Sequence, residues 1–170
     1  LIVATTSVVR PTESDIQSRY ERDLEMWREP ARYTFSHVFL TDERSEQMGA
    51  LISSVSAENL NPEAARMLGS PFLSGYSFKE QSSDQIARVF GAGFSKQLAA
   101  MTPTQGGWVG PVTSAFGVHY VYIEAFKPAR TLELSEVSQR IARDLDREAE
   151  AQAVTDWVTT AMARYEVRRS

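Results

Sequence analysis

Residues 107–124 read GWVGPVTSAFGVHYVYIE, and this stretch decides the fold. A Gly-Pro pair at 110–111 and a Phe-Gly pair at 116–117 are both typical of turns. The run that follows the second pair is rich in valine, tyrosine and isoleucine, which is the composition of a β-strand. Its single histidine, His119, comes just after the turn. The stretch therefore predicts a turn that leads into a strand carrying one imidazole.

A second strand pattern lies upstream, where residues 33–40 read YTFSHVFL. Successive side chains of a strand point to opposite faces, so His37 shares one face with the aromatic residues of this run. The chain contains two histidines, and they fall on the two predicted strands.

Composition limits the chemistry that this chain can carry. Its 170 residues suit one domain, or one domain with helical extensions. The net charge of -4 gives no basic surface for nucleic acid. The absence of cysteine excludes disulfides, thiolate metal sites and a cysteine nucleophile. Two histidines without a third ligand at useful spacing do not predict a metal site, and no cofactor is expected.

The first stretch resembles the closing segment of parvulin-type peptidyl-prolyl isomerases, in which a G-P-V/I-x-(T/S)-x-x-G-x-H run enters the last strand. Residues 33–40 are similar to the first strand of that family, which also carries one histidine. The resemblance covers residues 33–126 and implies an α+β fold with a small antiparallel or mixed sheet covered by short helices. The matching residues of the motif are Gly110, Pro111, Val112, Ser114, Gly117 and His119.

Helix signals lie on both sides of these strands. Thr12 with Asp15 three residues later, and Ser82 with Gln85, are capping-box patterns. Ser135 is the expected cap of a long final helix, because a stripe of apolar residues follows it at helical spacing. The members of this stripe are Val137, Ile141, Leu145, Ala149, Val154, Trp157, Val158 and Ala161.

The expected organisation has three parts. Residues 1–30 form an N-terminal helical segment, residues 31–127 form the parvulin-like domain, and residues 128–170 form a C-terminal helix. We expect this helix to pack with the first segment as a helical arm. The chain begins with Leu1, which suggests a processed or trimmed piece. The apolar residues 1–4 are then either an ordinary strand or helix end, or the remnant of a larger part.

The resemblance also implies roles for individual residues. His37 and His119 correspond to the histidines that hydrogen-bond across two central strands of the family. Phe90 and Phe94 correspond to the positions that line a cup for the proline ring. Without the resemblance, a histidine on an aromatic strand face is an ordinary satisfied core residue, and two phenylalanines at helical spacing are ordinary core rings.

The closing turn carries two further candidates. Ser114 corresponds to a hydroxyl residue at the rim of the cup, and Phe116 stands where the family often has an aromatic residue, which either lines the site or packs. The sequence gives Ser114 no base partner, so a nucleophilic role is not expected.

Isomerisation of an X-Pro bond needs no covalent step. Its barrier is rotation about a partial double bond, about 18–20 kcal/mol. A protein lowers this barrier when it grips the proline ring and favours the twisted amide over the planar one. The hypothesis therefore requires the two imidazoles to lie side by side beneath an aromatic hollow that is open to a proline ring.

The middle of the chain departs from the family pattern. Residues 64–72 read AARMLGSPF, where the family usually has a polar or acidic residue or a cysteine before a G-G-D-L-G turn. Ser70 stands where the aspartate of that turn would be. Two functions therefore remain open. The first is an isomerase acting on X-Pro bonds of unfolded or extended polypeptides. The second is a chaperone-like or scaffold module of the same fold that binds such clients and is catalytically weak.

Localisation follows from the resemblance alone. A helix before this core and a long helix after it are similar to the arrangement in bacterial cell-envelope foldases. Such proteins lie on the periplasmic side and are often tethered at the inner membrane. The resemblance therefore implies a place in the bacterial cell envelope.

Overall fold

The computed structural model describes residues 9–101 and 106–169. The two interpretations of residues 1–4 fall outside these ranges. The fold is α+β, as expected, with a long C-terminal helix. Two compact units make up the chain. Pro30–Arg130 form one unit, and the two ends of the chain, up to Glu29 and from Thr131, form the other.

The chain contains both helices and strands. The strands are β1 Arg28–Glu29, β2 Arg32–Thr41, β3 Ser77–Gln81, β4 Gly107–Thr113, β5 Gly117–Lys127 and β6 Arg130–Thr131. The α-helices are α1 Glu13–Arg22, α2 Met48–Ala57, α3 Pro62–Ala65, α4 Ser83–Phe90, α5 Ala92–Ala100 and α6 Leu134–Val167. Short 3-10 helices cover Leu24–Trp27, Asp42–Gln47 and Arg66–Leu68.

An antiparallel sheet with the strand order β3-β2-β5-β4 forms the centre of the larger unit. The two strands that carry the histidines, β2 and β5, are neighbours along their whole length, from the pair Arg32–Lys127 to the pair Thr41–Gly117. Both strands agree with the sequence prediction. The edge strand β3 is not predicted, because its five residues, SFKEQ, are largely exposed and show no buried alternation.

Alternation of side chains gives the sheet two different faces. On one face, aliphatic side chains of the sheet such as Val38 and Leu40 pack against α2, which contributes Leu51. The other face is aromatic and is covered by α4 and α5. The buried members of this aromatic cluster are Tyr33, Phe35, Phe39, Phe72, Ile86, Phe90, Phe94, Leu98, Val112, Val121 and Ile123.

Local signals in the sequence explain how α4 and α5 place two of these rings. Ser82 and Gln85 form the predicted capping box at the start of α4. The helix ends at Gly91, whose φ of 97° lies in the region that favours glycine. Because α5 begins at the next residue, Phe90 and Phe94 fall on one side and stack with ring centroids 4.3 Å apart.

The smaller unit is helical. Thr12 and Asp15 form the predicted capping box of α1. The cap of α6 is Glu133 rather than the predicted Ser135, because the helix begins two residues earlier than the pattern indicated. Helices α1 and α6 are joined by a bidentate pair of Arg19 with Glu148, with N–O distances of 2.8 and 2.6 Å.

The packed stripe of α6 is shorter than the sequence predicts. Val137 and Ile141 are buried together with Trp27, and Leu145 packs against them. Further along, Val154 and Trp157 are exposed. In the part of the chain that the structure describes, no helix combines the length and the apolar character that a membrane crossing requires.

Candidate active site

The structure brings the two histidines together on the aromatic face of the sheet. His119 lies opposite Phe39 in the register of β2 and β5, and His37 lies opposite Val121. The two imidazoles are therefore diagonal neighbours on one face, and their Nδ1 atoms are 3.1 Å apart. Both side chains are almost completely buried.

Burial keeps both imidazoles neutral near pH 7. Loss of hydration lowers the pKa of His37 to about 4, although its hydrogen bond to the carbonyl of Gly75 opposes this change. Loss of hydration, and then repulsion from His37, lowers the pKa of His119 to about 3. A neutral imidazole has one N–H donor and one acceptor nitrogen.

The direction of the hydrogen bonds follows from these charges. A carbonyl only accepts, so Nε2 of His37 donates to the oxygen of Gly75 over 2.8 Å. Nδ1 of His37 must then accept, and Nδ1 of His119 donates to it. Nε2 of His119 in turn accepts from the hydroxyl of Ser114 over 2.6 Å. We call this chain of bonds, from Ser114 to Gly75, the imidazole relay.

Ser114 has a base partner that the sequence did not indicate. The prediction that it lacks one is wrong, because a turn closed by the bond from its N–H to the oxygen of Gly117 folds it back onto His119. Its oxygen also accepts from the backbone N–H of Phe116 over 3.1 Å. The low pKa of His119 makes this imidazole a weak base, so the contact does not create a nucleophile.

The predicted cup residues lie directly above the relay. The Phe94 ring meets His119 edge-on with centroids 5.1 Å apart, and Phe90 meets both imidazoles edge-on at 5.2 and 5.3 Å. Both phenylalanines are 1% exposed. Phe116, by contrast, is 53% exposed.

A ring that the sequence reasoning missed fills the hollow. Phe72 stacks on Phe90 with an interplanar angle of 3° and a centroid distance of 5.3 Å. Its ring lies nearly perpendicular to both imidazoles, with centroid distances of 4.8 Å to His37 and 5.4 Å to His119. The centroid of the Phe116 ring is 5.7 Å away. The aromatic hollow that was expected to be open is therefore occupied by one of the protein's own side chains. The sequence signal that could have identified Phe72 was its position between Gly69 and Gly75, in a stretch without periodicity.

The same unit has an open cavity that borders His37. Its volume is about 370 Å³, and it lies beside α3, with neither Phe90 nor Phe94 in its lining. The wall is largely polar and includes Ser36, Asn61, Glu63, Arg66, Tyr76 and Glu124. Among residues 9–101 and 106–169, no group of three histidine, aspartate or glutamate side chains could hold a metal ion.

Removal of the Ser114 hydroxyl should leave one end of the relay without a partner. We expect Ser114→Ala to lower the free energy of unfolding by about 1–3 kcal/mol, because Nε2 of the buried His119 would lose its donor. Ser114→Thr keeps the hydroxyl and is the matched control. Urea unfolding at pH 7 measures both variants, and equal stability of Ser114→Ala and the wild type would contradict the relay.

The chain is similar to known proteins both in sequence and in structure. The sequence matches the family model described as PPIC-type PPIASE domain over residues 11–139. A structure of the SurA-like chaperones PEB4 and Cj1289 from Campylobacter jejuni is similar to the chain with a TM-score of 0.65 and 15% identity. That match covers 92% of this chain and 63% of the other.

Two further structures are similar at lower scores. PrsA from Bacillus anthracis has a TM-score of 0.40 and 22% identity, with 81% of this chain and 56% of that chain covered. A PpiC-type peptidyl-prolyl cis-trans isomerase domain has a TM-score of 0.43 and 16% identity, with 59% and 94% covered. The chain thus spans less than two thirds of the length of the SurA-like and PrsA structures. No curated protein matches the sequence.

Proposed function

Because the chain belongs to the PPIC-type PPIase domain family, a family of parvulin type, we propose that it is a peptidyl-prolyl isomerase. It acts on X-Pro bonds of unfolded or extended polypeptides without a cofactor. The observation that carries this proposal is the hydrogen-bonded pair of His37 and His119 directly beneath the stacked rings of Phe90 and Phe94.

Each proposed role follows from what the side chains can do. A proline ring would contact the apolar rings of Phe90 and Phe94 in place of Phe72, which fills the hollow in this structure. His37 and His119 form the floor of the site, and the relay holds their orientation because both nitrogens of each ring are engaged. The imidazoles therefore act through position and polarity rather than through proton transfer.

In this proposal, removal of the substrate amide from water lowers the barrier to rotation. A planar amide delocalises its nitrogen lone pair onto the carbonyl, which separates charge. Water stabilises that separation better than an apolar surrounding does. A cup of aromatic rings therefore disfavours the planar amide relative to the twisted one, and only such differential stabilisation accelerates the reaction. Ser114 and Phe116 form the rim, where the rest of the client chain passes.

The organisation of the chain follows from the same proposal. Residues 31–127 carry the isomerase site, and residues 1–30 and 128–170 form a helical arm that adds surface for clients. The similarity to SurA-like chaperones supports polypeptide clients as the kind of partner. One of them is described as a periplasmic protein, which supports a location in the bacterial cell envelope.

An isomerisation assay on the whole chain tests the proposed activity. We expect the chain to accelerate cis/trans exchange of the peptide Ala-Leu-Pro-Phe, measured by NMR exchange spectroscopy. Phe94→Ala should lower kcat/KM at least tenfold, which corresponds to about 1.4 kcal/mol of lost transition-state stabilisation. Leu51→Ala is the control, because it opens a cavity in the core on the other face of the sheet. The absence of acceleration by wild type at high protein concentration would refute catalysis.

A second function is favoured by a specific observation. Phe72 fills the hollow, and Ser70 stands where the family has an acidic residue, so the same fold could bind clients and isomerise them weakly. Exposed apolar side chains of Met67, Leu73 and Phe116 offer contacts for an extended apolar segment. Suppression of aggregation of an unfolded client that is lost in Leu73→Asp but kept in Phe94→Ala would identify this binding function. Loss in neither variant would count against these contacts.

A further inference from the structure

We propose that Phe72 is a displaceable stand-in for the proline ring, so that its loop closes the proposed site until a client segment takes the place of the phenyl ring. This inference rests on the proposed function, because it concerns the regulation of the same site. We call residues 69–75, which read GSPFLSG, the Phe72 loop.

The position of the Phe72 ring is the first observation that supports this proposal. Phe72 stacks flat on Phe90 and lies nearly perpendicular to both imidazoles, so it covers the part of the proposed floor beside Phe90. A proline ring is smaller than a phenyl ring, so a client proline would fit where Phe72 lies. At 9% exposure, Phe72 is the most exposed buried ring of this stack, whereas Phe90 and Phe94 are inaccessible.

The attachment of the Phe72 loop is the second observation that supports this proposal. At one end, the N–H of Ser70 donates to the oxygen of Phe39 over 2.7 Å. Gly69 lies so close to β2 that an added Cβ would be 2.7 Å from Val38, which fixes this end. At the other end, the oxygen of Gly75 accepts from His37. Residues 71–74 span the distance between these two attachments.

The surroundings of the ring indicate how it would leave. Leu73, the next residue, is fully exposed, so the tip of the loop faces solvent. At Gly75 an added Cβ would meet nothing within 4 Å, so no neighbouring group packs over this end of the loop. The N–H of Gly75 donates to the oxygen of Phe72 over 3.1 Å, so the ring would leave by rotation of its side chain with this backbone turn kept. Phe116, which contacts Phe72 from the outside, is itself half exposed. Phe72 can therefore swing outward without unfolding a helix or a strand.

The imidazole relay connects both sides of this lid. It ends at Gly75 in the Phe72 loop, and it begins at Ser114 in the turn that carries Phe116. The two rings that close the site, Phe72 and Phe116, are thus attached to opposite ends of one hydrogen-bond chain. A lid of this kind lowers the apparent affinity for clients by the fraction of molecules in which it is open.

Peptide binding to the full chain tests the lid. The probes are Ala-Leu-Pro-Phe and its matched control Ala-Leu-Ala-Phe, titrated into wild type, Phe72→Ala and Ser74→Ala. We expect Phe72→Ala to bind the proline peptide at least tenfold more tightly than wild type, with a smaller gain for the alanine peptide. Ser74→Ala, on the same loop but with an exposed side chain outside the hollow, should stay within twofold of wild type.

A second measurement covers the case in which Phe72→Ala does not fold. Phe72→Leu keeps most of the apolar contact and should show a smaller gain for the proline peptide. In the wild-type sequence with 4-fluorophenylalanine at position 72, saturating proline peptide should move the fluorine signal to its solvent-exposed value. A bound peptide that leaves this signal unchanged would overturn the proposal, as would equal or weaker peptide binding by folded Phe72→Ala.

The outcomes separate the lid from the proposed activity. Tighter proline binding by Phe72→Ala without any acceleration of isomerisation would support the lid and refute catalysis. Acceleration by wild type that is lost in Phe72→Ala together with peptide binding would support catalysis and refute the lid. The absence of peptide binding by every variant would refute the lid as well.

Discussion

Gly117→Ala should lower the free energy of unfolding by roughly 3 kcal/mol or more, one of the two largest effects expected for this chain. A Cβ at this position would lie 2.2 Å from the backbone oxygen of Leu40 and 3.0 Å from the Phe39 ring. The backbone at Gly117 also has a φ of 152°, a conformation that L side chains rarely adopt. Strands β2 and β5 would have to separate to make room, and the imidazole relay crosses between them.

Gly49→Ala is the matched control for this prediction. An added Cβ at Gly49 meets nothing within 4 Å, and the residue lies in helix α2, where alanine is preferred to glycine. The control should therefore be unchanged or more stable by up to about 1 kcal/mol. Urea unfolding of both variants at pH 7 measures the difference. A loss below about 1 kcal/mol in Gly117→Ala would mean that the two strands are not packed as closely as the structure shows.

Acidification should produce the second large effect. We expect the free energy of unfolding to fall by about 2 kcal/mol for each histidine between pH 7.5 and pH 5. Their pKa values are lowered to about 4 and about 3 in the folded chain, against 6.5 for a free imidazole. The unfolded chain therefore binds protons below pH 6.5 that the folded chain does not yet bind. Stability is complete above pH 6.5 and is lost as the pH falls towards the folded pKa values.

The pH window separates the histidines from the carboxylates. The surface acids with lowered pKa values, such as Asp15 and Glu148, have ordinary values of 3.8 and 4.5, so they lose stabilising interactions mainly below pH 5. His119→Gln removes one of the two titrating groups and should reduce the pH dependence above pH 5 by about half. Urea unfolding at several pH values measures the slope. Stability of the wild type that is constant from pH 7.5 to pH 5 would show that the imidazoles are not held neutral by burial.

Several local features of the site could be predicted from the sequence. Alternation in residues 33–40 places His37 with the aromatic residues, because side-chain direction in a strand depends only on position. The capping boxes at Thr12 and Ser82 formed as predicted, because their bonds span three residues. The family pattern led to the pairing of His37 with His119, which neither strand shows by itself.

Other features could not be predicted in this way. Strand β3 lies at the edge of the sheet and has little buried surface, so it leaves no pattern. The bond from Ser114 to His119 depends on how a turn folds back, and sequence distance alone does not give this geometry. The apolar stripe of α6 continues past Leu145, although the described packing stops there, because periodicity shows an apolar face and not what covers it.

The sequence by itself determined strands β2 and β5, the starts of α1 and α4, and the strand face on which His37 lies, because each depends on residues only a few positions apart. Only the tertiary structure decided that Phe72 occupies the hollow and that the relay runs from Ser114 to Gly75. Both depend on a loop without periodicity returning to two strands that are distant in sequence. The filling of an interior is set by which groups reach it in three dimensions, and that information is not present in any local pattern.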